Sequence, residues 1–180
     1  MKPHCIAGVL LLCVAPVMAQ EDKLVFGANP DKAFEAGMEN VEGATGQASF
    51  LHALVDGEVT RQVAELSIWR DGKPLRGKRL RFSTRLKSSL VGRSGCSLVA
   101  LDDRAVVKNA DGPVFSGNAN WADCTVVMVI PEEATRVQAR YYLMGAGKVW
   151  ADGLKIEEVG ADVPETKRVN RNMTRNGDDR

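Results

Sequence analysis

Past its first twenty residues this chain has two cysteines and one histidine, and each scarcity closes off a chemistry. Cys96 and Cys124 stand 28 apart, and with His52 as the one histidine past the start they make a poor zinc set. No Cys-x-x-Cys occurs, so a thioredoxin-like redox pair is excluded. A nucleophilic triad needs a base held by a third group, and His52 sits inside the strand-like run "SFLHALV" with no Gly-x-Ser-x-Gly elbow anywhere in the chain. No glycine loop is spaced to cradle a phosphate. Asp102-Asp103, Glu132-Glu133 and Glu157-Glu158 are carboxylate pairs in sequence. Neighbours on a strand point to opposite faces, so none of them is a pair in space.

Charge of one sign is also missing. The formal net charge is +1 over 180 residues, which gives no field to gather nucleic acid. The one long apolar run lies at the start: "MKPHCIAGVLLLCVAPVMAQ" has Lys2, an apolar stretch from Cys5 to Val14, and small residues at Val17 and Ala19. It is too short to span a bilayer and reads as a secretory signal cleaved after Ala19, with a lipoprotein anchor at Cys13 as the rival. No later segment has transmembrane character. The chain is therefore expected in the periplasm or outside the cell. There the even pair Cys96 and Cys124 reads as one structural disulfide, against two free thiols.

What is present is strand pattern. "GKRLRFSTRLKSS" puts Leu80, Phe82, Thr84 and Leu86 on one face and Arg81, Ser83, Arg85 and Lys87 on the other. "GQASFLHAL", "GCSLVALDD" and "CTVVMVIPEEATRVQARYYLM" add strands, with Pro131 ending one. "EVTRQVAELSIWRDG" fits a strand or a short helix. "RAVVKNADGP" reads as a short strand running into a turn at Ala110 to Pro113, and "DKAFEAGMENVEG" as an extended lead-in. "RVQARYYLMGAGKVWADGLKIEEVG" reads as two strands joined in a hairpin by Gly145-Ala146-Gly147, with Val137, Ala139, Tyr141 and Leu143 in the core. About nine antiparallel strands with regular turns predict an all-β sandwich or barrel. The organisation is a signal over 1–19, one domain over 20–164, and a disordered polar tail over 165–180 that includes the sequon at Asn172.

A sugar is held by planar hydrogen-bonding groups and an aromatic face. The outward rows Arg81, Ser83, Arg85 and Gln138, Arg140, Tyr142 have those types, and Trp150 shares a strand face with Asp152. The candidate ligand-binding residues are Arg81, Arg85, Arg140, Tyr142 and Trp150.

"GANPDKAFEAGME", "LRGKRLRFSTRLKS" and "WADCTVVMVIPEEATRVQARYYLMGAGKVWADGLKIEEVGADVP" resemble the galactose-binding-like, carbohydrate-binding-module-like jelly roll of exported bacterial proteins and of domains appended to AraC-type regulators. The resemblance covers Leu24 to Pro164. It implies a jelly-roll β-sandwich and a non-catalytic module that binds a carbohydrate or glycan. The alternatives are a structural or protein-interaction module of the cell envelope with no small ligand and, third, a hydrolase. The resemblance implies no cofactor beyond a structural calcium ion, for which Glu35 and Asp152 are the candidate ligands. Two departures stand out: Asp152-Gly153 replaces a paired Asp-Asp, and Gly92 to Leu98 lacks the tryptophans of relatives and carries Cys96 instead.

Overall fold

The computed structural model describes residues 23–29, 31–54, 62–90 and 92–167. The expected signal over 1–19 and the sequon at Asn172 lie outside the described residues. Ten strands follow one another: β1 (Leu24–Asn29), β2 (Phe34–Asn40), β3 (Gln47–Ala53), β4 (Val63–Asp71), β5 (Arg79–Leu90), β6 (Arg93–Leu101), β7 (Val106–Ser116), β8 (Ala119–Val129), β9 (Arg136–Met144) and β10 (Gly147–Glu158). Two turns of 3-10 helix, Asp31–Ala33 and Lys73–Leu75, are the only helical pieces among the described residues. None is long and apolar enough to cross a membrane. The strands form two five-stranded antiparallel sheets, sheet A in the order β1-β4-β9-β6-β7 and sheet B in the order β2-β3-β10-β5-β8. This is the expected jelly-roll sandwich with one strand more than the expected nine.

Strict alternation builds each inner face. On β5 Leu80, Phe82, Thr84 and Leu86 are buried, and on β9 Val137, Ala139, Tyr141 and Leu143 are wholly buried. The ambiguous segment over Val63–Asp71 is a strand, because Ala64 and Leu66 enter the core through the pairings Ala64↔Leu143 and Leu66↔Tyr141. The two sheets meet through one buried polar tether, in which Tyr141 Oη donates to Ser49 Oγ at 3.0 Å. Burial pushes the Tyr141 phenol above its ordinary range, with the Ser49 contact opposing. A disulfide, Cys96–Cys124, ties β6 of sheet A to β8 of sheet B, and both cysteines are fully buried.

Two expectations are overturned. β9 and β10 are not a hairpin: β9 pairs with β4 and β6, whereas β10 pairs with β3 and β5. Gly145 and Gly147 take φ of 91° and 108°, so the chain turns sharply enough to cross from one sheet to the other. The turn expected at Ala110 to Pro113 is instead the middle of β7. A bulge sits there, between the pairings Gly95↔Val114 and Ser97↔Asp111. Pro113 is tolerated because β7 is an edge strand, which leaves a missing amide without a ladder partner to lose. Gly112 lies against the disulfide: a Cβ there would stand 2.8 Å from Cys96 Sγ and 3.2 Å from Cys124 Sγ. Gly112→Ala is expected to cost about 1–3 kcal/mol by overpacking. Denaturant melts should show that loss shrinking when both cysteines are alanine, and an unchanged loss would place the strain elsewhere.

The start of the expected disordered tail is held in place. Thr166 N donates to Val127 O at 2.9 Å and its hydroxyl accepts from Val127 N at 2.8 Å. Glu165 accepts from the Val129 amide and from Lys108 Nζ, and these contacts hold its carboxyl below the ordinary range. The segment thus covers part of the free edge of β8. Residues 168–180 of the expected tail lie outside the described residues.

Candidate functional site

The two polar rows read from the sequence lie on opposite faces of the sandwich. Arg81 and Arg85 on β5 and Trp150 on β10 point outward from sheet B. Arg140 and Tyr142 on β9 point outward from sheet A. The five expected ligand-binding residues therefore do not converge on one site. Alternation separates inside from outside, and it carries no information on which sheet a strand joins.

The outer face of sheet A is a grid fixed by register. One row runs Trp69, Gln138, Val99, Asn109; the next runs Ser67, Arg140, Ser97, Asp111; the third runs Gly27, Glu65, Tyr142, Gly95, Val114. Glu65 organises its centre. Its carboxylate accepts from Gln138 Nε2 at 2.6 Å and from Arg140 Nη1, while Arg140 Nε donates to Ser97 Oγ at 2.9 Å. Val99 and Gln138 are only 3% and 4% exposed although they point away from the core, so neighbouring side chains of this face cover them. Asn109 donates from Nδ2 to Asp111 at 3.1 Å, and its Oδ1 is buried with no partner among the described residues. An unpaired buried carbonyl costs free energy that a donor from a bound molecule recovers.

Aromatic rings stand at both ends of this polar centre. Trp69 carries the Arg136 guanidinium over its ring at 5.5 Å. Tyr142 lies across β6, where Gly95 makes room: a Cβ at Gly95 would meet Tyr142 Oη at 2.8 Å. The Trp69 and Tyr142 rows are four residues apart along the strands, which is about 14 Å at strand rise.

The outer face of sheet B carries a polar network of its own. A cleft of about 390 Å³ is floored by Arg81, Ser83, Thr125 and Lys155. Its cations are already paired: Glu157 takes Lys155 at 2.7 Å and Arg81 Nε at 2.8 Å, and these two hold the Glu157 carboxyl below its ordinary range. Trp150 gives its indole N–H to Glu39, and Lys148 sits over the Phe50 ring at 3.9 Å and the Trp150 ring at 5.3 Å. Lys148 and then Trp150 hold Glu39 below its ordinary range. The Trp150 ring is thus engaged by neighbours of its own sheet. The lining of the cleft holds no aromatic residue.

No family model matches the chain. Among solved structures, the C-terminal family 22 carbohydrate-binding module of Clostridium thermocellum Xyn10B is similar over 82% of this chain and 92% of that one, with TM-score 0.57 and 11% identity. A CBM4 structure is similar over 81% of this chain and 93% of that one, with TM-score 0.52 and 14% identity. The chain shares its jelly-roll fold with these two modules. The same fold recurs within the enzymatically active domain of tailspike protein 4 of bacteriophage CBA120, over 76% of this chain and 19% of that one, with TM-score 0.52 and 12% identity. In sequence, 145 residues, 78% of this chain, are 28% identical to YbfP of Bacillus subtilis (strain 168), described as an uncharacterized HTH-type transcriptional regulator. The chain spans about half the length of that relative, 48%.

The calcium ligands implied by the resemblance do not come together in this fold. Glu35 on β2 is paired with His52 Nδ1 at 2.8 Å. Asp152 on β10 is 5% exposed, and its oxygens take Thr45 Oγ1 at 2.8 Å, Thr45 N at 3.1 Å and Arg85 Nη1 at 3.4 Å. Calcium wants six or more oxygens, and a guanidinium stands where they would gather. Among the described residues no three His, Cys, Asp or Glu side chains cluster as a metal set. The residues present do not fit the ion.

Sequence reasoning missed Glu65, Ser97, Asn109 and Asp111. Glu65 lay in the segment left between strand and helix, Asn109 directly preceded the expected turn, and Asp111 lay within it. The available signal was Glu65 with Trp69 four residues on, both outward if that segment is a strand.

Proposed function

We propose that this chain is an exported, non-catalytic module that binds a carbohydrate on the outer face of sheet A. The observation that carries the reading is the Glu65, Gln138, Arg140 and Ser97 network, held rigid in advance between the Trp69 and Tyr142 rings. Planar donors and acceptors in fixed positions match vicinal hydroxyls, and aromatic residues of the Trp69 and Tyr142 kind stack on the face of a pyranose. Binding to a prearranged array avoids the cost of ordering these side chains on contact. The carbohydrate-binding modules of the same fold support the reading, and so do the buried disulfide and the signal-like start, which agree with an oxidising compartment.

The test is a glycan and polysaccharide binding screen on the oxidised protein, followed by Tyr142→Ala. That substitution is expected to abolish binding and to move the melting temperature little, because Tyr142 lies outside the core. A large fall in melting temperature would make Tyr142 structural. Binding that survives the substitution would move the site off this face.

A further inference from the structure

The β2–β3 connection, residues 41–46, is anchored to sheet B by side chains from three different strands. Trp121 of β8 donates its indole N–H to Glu42 O at 2.8 Å. Arg85 of β5 donates to Gly43 O at 3.1 Å with Nη2 and to Asp152 with Nη1, and its guanidinium lies 5.2 Å from the centre of the Trp121 ring. Asp152 of β10 receives both the amide and the hydroxyl of Thr45. Gly43 at φ 82° brings its backbone to Trp121, where a Cβ would stand 3.0 Å from the ring. One buried carboxylate, one guanidinium and one indole thus satisfy three backbone groups of a single loop.

A loop carbonyl and a buried carboxylate facing a common point make a place for positive charge. We propose that the Arg85 guanidinium is that charge, a built-in cation that fixes the β2–β3 loop and makes the protein independent of divalent metal. Arg85 suits the place better than an ion does. It supplies directed N–H donors to two acceptors at once and stacks on Trp121, which a spherical cation cannot do. Register adds a further consequence. Asp152, Arg85 and Asp123 are successive partners across β10, β5 and β8, so Arg85 also stands between two carboxylates in one row. The proposal rests on the sheet B side of the molecule and is independent of the carbohydrate reading.

The test is thermal melting and hydrogen exchange of the full chain with chelator and with added calcium. The wild-type melting temperature is expected to be the same in both. A saturable rise with calcium that Asp152→Asn removes would overturn the proposal. Arg85→Met is expected to speed exchange of the amides in 42–46 by about tenfold or more, with no recovery on adding calcium. Unchanged exchange, or recovery with calcium, would overturn it. Arg85→Lys serves as the milder variant: it keeps the charge but cannot hold Gly43 O and Asp152 together. Exchange between that of wild type and Arg85→Met is expected, and wild-type exchange would show that the bridging guanidinium is not needed.

Discussion

Replacing Cys96 and Cys124 together with alanine is expected to lower the melting temperature of the oxidised protein by about 10 °C or more. The bridge closes a loop with a sequence separation of 28. In the chain-entropy account a loop of that size is worth roughly 3–4 kcal/mol. For a domain of this size each kcal/mol corresponds to about 3–5 °C. The position of the bond adds to this: it joins the interior faces of the two sheets, with no wall of the core between them. Without it the sandwich relies on apolar burial and on the Tyr141 to Ser49 contact to hold the layers in register. Differential scanning of the double variant, beside wild type with and without reductant, checks this. Reduced wild type should melt with the variant. A fall of only one or two degrees in both would show that packing alone fixes the layers.

The second large effect is on ligand affinity. Under the carbohydrate reading, Arg140→Ala is expected to weaken glycan binding by about 30-fold or more, the size of a 2 kcal/mol anchor residue. Two losses combine. The guanidinium itself disappears from the centre of the face, and Glu65 and Ser97 lose the partner that fixes their orientation. The cost in stability should be much smaller, about 1 kcal/mol, because the Arg140 and Glu65 side chains are 31% and 23% exposed and water screens the pair. Titration calorimetry with the glycan identified by the screen, together with a urea melt, separates the two. Equal affinity in the variant would remove Arg140 from the site, and a collapse in the melt would make the residue structural.

The inner faces were legible from the sequence because period-two alternation is a local signal. Leu80, Phe82, Thr84 and Leu86, and likewise Val137, Ala139, Tyr141 and Leu143, are buried where the pattern put them. The site was only half legible. Arg140, Tyr142 and Gln138 were visible as an outward polar row, but the residue that positions two of them, Glu65, comes from β4, more than seventy positions earlier. Nothing local links them. The same limit placed Arg81 and Arg85 beside Arg140 in one imagined face, when the sheet order separates them by the full thickness of the sandwich. The hairpin reading of β9 and β10 failed for a related reason. Two alternating strands around a glycine turn look alike whether the turn closes a ladder or crosses a layer.

That crossing has a consequence for how the chain folds. β9 is the middle strand of sheet A and β10 the middle strand of sheet B, yet they are the last two strands in sequence. Among the described residues, only β2 with β3 and β6 with β7 are neighbours both in sequence and in a sheet. Everything translated before Arg136 therefore consists of half-sheets with no central partner. Neither layer closes until the final pair arrives and threads between strands already made. Pairings of such long separation carry their loop-closure entropy before any reward, which places folding in the slow, millisecond-to-second class of all-β domains. A nascent chain of this design stays open until β9 and β10 have both been synthesised.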